Sequence, residues 1–235
     1  MNNSIICKNC ENENPFYALI CSKCKSYLRE RIYNIDLWKI LGLVIESPTK
    51  AFTLIIQSEH KNFISFIMFI ASVKFFIDSM YLSIITDIPE PHHEKIIRNY
   101  FIILGFVLVL VIIIGIAVTI INKSNNLKTR IRDNIAVFIY SLLPHAFAFL
   151  ILFTVELAVF GGNLFAKDPT IFTLKEFFAF TLLGFEGLII LWAVFLSIIG
   201  IYVQTKNKLY SIVVGIIFNF CLYCCLYLGS TILYR

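Results

Sequence analysis

Charge is what this chain has least of. Its 235 residues include 20 lysines and arginines and 15 aspartates and glutamates, so 15% are charged where a soluble domain carries about a quarter. With 59% hydrophobic residues and a mean hydropathy of +0.82, that shortage excludes a water-soluble enzyme. It equally excludes a disordered chain, a secreted disulfide scaffold and a nucleic-acid-binding domain with a basic surface. A second absence is an apolar run with a small-residue cleavage site near the start: residues 1–10 are polar, which predicts no signal peptide and an amino terminus kept in the cytoplasm. A third is any Ser or Cys nucleophile context or open metal site, which predicts that the chain is not an enzyme. What remains is an integral membrane protein.

Five apolar runs, at about 63–85, 100–121, 135–160, 177–201 and 209–233, are each long enough to cross the roughly 30 Å hydrocarbon core as helix. Short connections punctuate them: Asp87-Ile88-Pro89-Glu90-Pro91, then 122–134, then Gly161-Gly162-Asn163, then 204–208. The expected fold is an all-α integral membrane protein with a five-transmembrane-helix bundle over 63–233. An odd number of spans puts the termini on opposite sides. With the amino terminus inside, Lys8, Lys23, Lys25, Arg29, Arg31, Lys39, Lys50, Lys61, Lys123, Lys128, Arg130, Arg132, Lys206 and Lys208 face the cytoplasm. Only Lys95, Arg98, Lys167, Lys175 and Arg235 face outward. This bias predicts a cell-membrane protein with its amino terminus in and its carboxyl terminus out.

Residues 34–62 are apolar but broken at Ser47-Pro48, and neither half is long enough to span. Asn34 is the expected cap of a first helix carrying Ile35, Leu37, Trp38, Ile40, Leu41, Val44 and Ile45. Ser47-Pro48 reads as a cap followed by proline at the first helical position. With Trp38 at headgroup level and Lys39 and Lys50 toward anionic lipid, the segment reads as an interfacial amphipathic linker. The alternative is a helix pair buried on the bundle.

The strongest local motif is Cys7-Lys8-Asn9-Cys10, followed ten residues later by Cys21-Ser22-Lys23-Cys24. Two C-x-x-C knuckles at this spacing predict a zinc ribbon over residues 1–33, with one structural zinc held by four thiolates at about 2.3 Å and no position left for a catalytic water. A unit of this size cannot bury enough core to fold alone, so metal binding supplies its folding free energy. Disulfides or free thiols are the competing readings, the disulfides disfavoured by a reducing compartment. Glu11 and Lys25 stand where glycine often follows the second cysteine. Cys221, Cys224 and Cys225, inside the last apolar run, read as small hydrophobes.

Ionisable residues inside the runs need explaining. Lys74 and Asp78 together cost roughly 5–7 kcal/mol on the insertion scale, about what the apolar residues of that span return. Being four apart, they share a helical face and can pair. Counting about 1.5 Å of depth per residue puts Lys74, Asp78, His145 and Glu186 at similar levels and predicts an intramembrane polar cluster of these four. The same count places Glu156 at the outer interface with no need of a partner. Pro144 is expected to kink the third span. The cluster reads either as charges that neutralise one another and fix packing, or as a conducting or binding site. His92-His93-Glu94 reads as a solvated loop.

Ser47-Pro48-Thr49-Lys50-Ala51-Phe52, Pro144 and the stretch from Leu191-Trp192 to Gly200-Ile201 together resemble the Yip domain family, five-helix membrane proteins named in eukaryotes for interacting with Rab-type GTPases. The likeness covers roughly residues 40–233 and is to members with an amino-terminal zinc ribbon. It implies a cytoplasmic amino terminus and no enzyme activity, and its Rab partner is not transferable. The expectation is a non-enzymatic membrane protein whose ribbon docks a cytoplasmic protein partner while the bundle anchors it, with the lipid bilayer and no nucleic acid as its other surroundings. A homo-oligomer is left open. The alternative is a small transporter or channel using the intramembrane cluster.

Overall fold

The computed structural model describes residues 3–85, 96–166 and 168–233. The proline-rich connection at 87–91 and His92-His93-Glu94 lie outside the described residues. Two short strands open the chain, β1 (Ser4–Ile6) and β2 (Glu13–Pro15), paired antiparallel with Ile5 opposite Asn14. An antiparallel bridge between Ile20 and Tyr27 closes the second half of the module.

Helices α1 (Leu37–Glu46) and α2 (Pro48–Gln57) follow. The cap of α1 is Asp36, whose carboxylate accepts from the Lys39 amide at 3.2 Å, and not Asn34. Ile35 therefore stays outside the helix, buried and tied to Asn62 by two 3.0 Å hydrogen bonds, which a longer α1 would break. Ser47 serves both helices: its amide closes α1 on Leu43 O at 2.8 Å, and its carbonyl accepts the first amides of α2. Pro48 then starts α2 where a missing N–H costs nothing. The two helices differ in burial. Helix α2 buries Ala51, Phe52, Ile55 and Ile56, whereas α1 buries only Ile40 and Val44 and leaves Trp38 83% exposed.

Five helical segments are long and apolar enough to cross a membrane: Ile64–Ser83, Ile96–Ser124, Ile131–Phe165, Glu176–Thr205 and Lys208–Leu233. They correspond to α3 (Ile64–Ile85), α4 (Ile96–Ser124), a broken third segment, α9 (Glu176–Thr205) and α10 (Lys208–Leu233). Helices α4 and α9 outrun their apolar cores because left-handed residues, not polarity, end them. Asn126 (φ 59°) and Lys206 (φ 54°) turn the chain there. Lys206 N bonds Tyr202 O at 2.8 Å, and Asn207 Oδ1 then accepts from Tyr210 N to start α10.

The third segment is not one helix. It runs as α5 (Ile131–Ser141), α6 (Leu143–Phe147), a π turn (Ala148–Leu152) and α7 (Phe153–Phe160), then a 3-10 turn (Gly161–Phe165). Pro144 has no amide for the ladder, so helix restarts around it, with a π turn just beyond. The next connection is longer than the Gly161-Gly162-Asn163 turn expected from sequence. It carries the 3-10 turn and the short α8 (Ile171–Leu174) before α9 begins.

The chain divides into two compact units. The first comprises Met1–Ser65, Val111–Ser141 and Phe195–Phe218; the second comprises Phe66–Leu110, Leu142–Val194 and Asn219–Arg235. In the first, α2 packs on α5, and Gly200 allows a close approach: a Cβ there would come within 2.5 Å of Val137 and 3.1 Å of Phe52 and displace a side chain. Phe138 and Phe218 meet with ring centroids 4.5 Å apart. In the second, Phe160, Leu164, Ala179 and Leu182 form a core with Tyr81, Ile171 and Phe172 packed around it. Large apolar side chains such as Phe101, Ile120, Phe177, Leu191 and Phe220 point outward along the long helices. That is the surface of a body solvated by lipid.

Candidate functional site

The two cysteine knuckles are built alike. In each, the first cysteine's amide reaches five residues on (Cys7 N to Asn12 O, 3.0 Å; Cys21 N to Ser26 O, 2.9 Å), and its carbonyl accepts from the residue after the second cysteine. That residue is Glu11 or Lys25, and both have left-handed backbone, φ 55° and 60°. The positions where glycine often follows are thus the ones that need glycine's conformation, held here by L residues.

All four sulfurs lie within 4.8 Å of one another, with Cys7 Sγ to Cys24 Sγ at 3.5 Å and Cys10 Sγ to Cys21 Sγ at 3.6 Å. A tetrahedral ion with bonds of about 2.3 Å wants its ligands about 3.8 Å apart, so the four cysteines can hold a metal ion and suit zinc. Donors surround the sulfurs. Ser26 Oγ lies 3.2 Å from Cys7 Sγ and 3.0 Å from Cys24 Sγ, and Asn14 Nδ2 points at Cys21 Sγ from 3.5 Å. The Ser26 hydroxyl, then its amide, pull the Cys24 thiol down to about 5, whereas Cys10, in spite of the Asn12 amide, is pushed up to about 12 by burial and the neighbouring sulfurs, so the four thiols do not lose their protons alike.

The module is clamped to the rest of its unit. Asn3 Nδ2 donates to Val203 O at 3.0 Å and to Gln204 O, Arg29 reaches Gln57 O at 2.7 Å, and Arg130 lies 4.3 Å over the Tyr17 ring. Sequence did not foretell these contacts. They lead into a buried charge cluster that it also missed. Asp133, 1% exposed, accepts from Arg130 Nε at 2.6 Å and pairs with Lys61 Nζ at 3.1 Å. Lys61 Nζ also donates to the carbonyls of Ile55, Ile56 and Ser58, the orphan acceptors at the end of α2. Burial pushes Lys61 down to about 8, against the upward pull of Asp133. Only the Arg130/Asp133 spacing of three was legible beforehand; nothing in the sequence joins position 61 to 133.

In the second unit Lys74 is fully buried and bridges two carboxylates, Asp78 Oδ1 at 2.6 Å one helical turn on and Glu186 Oε1 at 2.5 Å on α9. These three of the four expected residues meet. His145 does not join them: it is fully buried, its ring 4.7 Å from that of Phe75, and neither ring nitrogen has a hydrogen-bond partner among the described residues. Glu156 is a second departure. It is 5% exposed and accepts a hydrogen bond from Tyr81 OH at 3.2 Å, where depth counting placed it unpartnered at an interface. That count assumed a continuous α-helix, and the restart at Pro144 and the π turn invalidate it. Asp78, Glu156 and Glu186 line a cavity of about 490 Å³ together with Tyr81, Tyr223 and apolar side chains from α7, α8 and α9.

No protein-family model matches this sequence, and no curated protein or solved structure matches it either.

Proposed function

We propose that this chain is a non-enzymatic multi-pass membrane protein of the Yip-like type. In this reading a zinc-loaded four-cysteine module docks a cytoplasmic protein partner, and the five helices anchor it in the cell membrane. The observation that carries it is the division of labour on the module. Asn3, Tyr17 and Arg29 are spent on the clamp, while Ile6, Ile20 and Tyr27 stay exposed at 62%, 45% and 74%. Ile20 and Tyr27 are paired across a bridge, so they present a fixed apolar patch suited to a partner with apolar anchor side chains. Four thiolates around one ion leave no position for a catalytic water, which supports a structural role for the metal. The Yip-like landmarks support the bundle assignment, and the Lys/Arg distribution supports the amino terminus inside.

Because the module is clamped, deleting it would disturb the helices as well, so surface substitutions make the cleaner test. Cross-linking mass spectrometry in native membranes should lose the same protein partner with Ile20→Ser and with Tyr27→Asp while zinc content stays at one per chain. Unchanged cross-links in both variants would reject the docking role.

Transport or conduction is a second reading, favoured by the Lys74 cluster beside its cavity. It predicts substrate-dependent flux in proteoliposomes that Lys74→Ala removes and Tyr27→Asp spares.

A further inference from the structure

Among the described residues, the charges around the cavity of the second unit do not balance. Lys74 offers one positive charge to Asp78 and Glu186, and Glu156 adds a third carboxylate whose only hydrogen bond among the described residues is the Tyr81 hydroxyl on Oε2. Glu156 is 5% exposed, lines the cavity, and has Oε1 without a partner there. A carboxylate in so apolar a place takes up either a proton or a counter-charge.

The cavity itself points to the kind of counter-charge. Its volume of about 490 Å³ falls in the range of sites for small organic molecules, far beyond what a proton or a bare metal ion requires. The cavity is partly open to its surroundings, so a solute has a way in. Its walls are aliphatic and aromatic, with Tyr81, Tyr223, Phe160 and Phe172 among them. Aromatic faces attract organic cations, and three carboxylates set the sign. A lipid acyl chain would fit the walls but would add no positive charge to that of Lys74.

We infer that this cavity is a binding site for an organic monocation with an apolar body, such as a substituted ammonium, its charge held by Glu156 and the free oxygens of Asp78 and Glu186. The inference shares its residues with the transport reading but does not require movement across the membrane.

The test is equilibrium dialysis of tetraphenylphosphonium against the full chain in lipid nanodiscs, with empty nanodiscs as the blank and tetraphenylborate as an anion of the same shape. One saturable site per chain is expected for the cation and none for the anion. Glu156→Gln, which keeps a hydrogen-bond acceptor for Tyr81, should weaken binding at least tenfold. Ala179→Leu, which fills the cavity from an apolar wall and leaves every charge in place, should do the same. Both variants are checked for wild-type thermal unfolding. Cation uptake equal to the blank by a folded chain, equal uptake of the anion, or unchanged affinity in both variants would overturn the site. Saturable binding without flux supports the site and removes the transport reading; flux without saturable binding overturns the site.

Discussion

The side chains of Lys61 and Lys74 are both withdrawn from solvent, at 6% and 0% exposure, and the groups around them are of opposite kinds. Lys61 sits just before the first span, among backbone carbonyls at the end of α2, and shares the single carboxylate of Asp133 with Arg130. Lys74 sits within a span and serves two carboxylates, with a third nearby on Glu156. Where cations exceed carboxylates, the surplus is absorbed by helix-end carbonyls and the Tyr17 ring, so the cluster is closed and its work is to hold chain segments together. Where carboxylates exceed cations among the described residues, the surplus faces a cavity. The first arrangement reads as mechanical, the second as receptive.

On the proposed zinc-loaded reading, the harshest way to break this contrast is to take away the metal. Binding at a four-thiolate site is worth about 10–16 kcal/mol to small zinc modules, and here the same module clamps Arg130 through Tyr17. Cys21→Ser, or chelation, should reduce zinc from one per chain to none. It should also speed hydrogen exchange in residues 4–28 and 130–134 by orders of magnitude. Exchange at 74–78 and 183–188 should stay as it was. Equal loosening at both lysines would show that the mechanical cluster is not specifically the metal's dependant.

Next in size is the removal of each lysine. Lys74→Met strands two carboxylates, and breaking a buried pair from one side costs about 3–5 kcal/mol. Lys61→Met leaves Asp133 still bonded to Arg130 at 2.6 Å, so a loss of about 1–3 kcal/mol is expected. Denaturant unfolding in mixed micelles measures both. Adding Asp78→Asn and Glu186→Gln to Lys74→Met should restore most of its loss. Equal costs for the two lysines would mean that the surplus carboxylates of the second unit are already neutralised by protons.

Sequence patterning anticipated some of this and was blind to the rest, for physical reasons. Apolar run length anticipated the five long apolar helices among the described residues because lipid imposes one requirement on every residue of a span. The Cys7/Cys10/Cys21/Cys24 site was legible because a metal needs local spacing, and Lys74 with Asp78 because four residues make one helical turn. Glu186 was placed by depth along an unbroken helix, α9. The same reasoning failed for Glu156, which lies beyond Pro144 and the π turn that reset the phase of the third segment, whereas His145, ahead of the π turn, lies beside Phe75 near the level of Lys74 without bonding to the cluster. Asp36 displaced Asn34 as cap because Ile35 and Asn62 bond each other across 27 positions. Lys61 with Asp133, and Tyr17 with Arg130, are contacts between distant segments made by ordinary polar residues, and no periodicity announces those.

Titration offers a gentler comparison. Burial holds Lys61 near 8, below its ordinary 10.5, so the folded chain gives up this proton before the unfolded chain does. Between about pH 8 and pH 10.5 the unfolded state binds more protons, and stability therefore rises with pH through that window; below it the cost of the buried ammonium is constant. The difference in unfolding free energy between wild type and Lys61→Met should shift in favour of wild type by up to about 3 kcal/mol from pH 8 to pH 10.5. A flat difference would mean that the carbonyls and Asp133 keep Lys61 charged throughout.

The smallest effect concerns the knuckles. An L residue at positive φ costs about 1 kcal/mol, part of which glycine gives back through its greater freedom in the unfolded chain. Glu11→Gly and Lys25→Gly should each raise module stability by about 0.5–1 kcal/mol, seen as a two- to fivefold tighter hold on zinc in competition with a chromophoric chelator. Lys23→Gly, at a position without positive φ, should weaken the hold instead. Because the clamp runs from the module through Tyr17 to Arg130 and Asp133, the two favourable substitutions should also slow exchange at 130–134 and leave 74–78 untouched. A gain confined to residues 4–28 would mean that the clamp rests on the folded module being present, not on how firmly it is held.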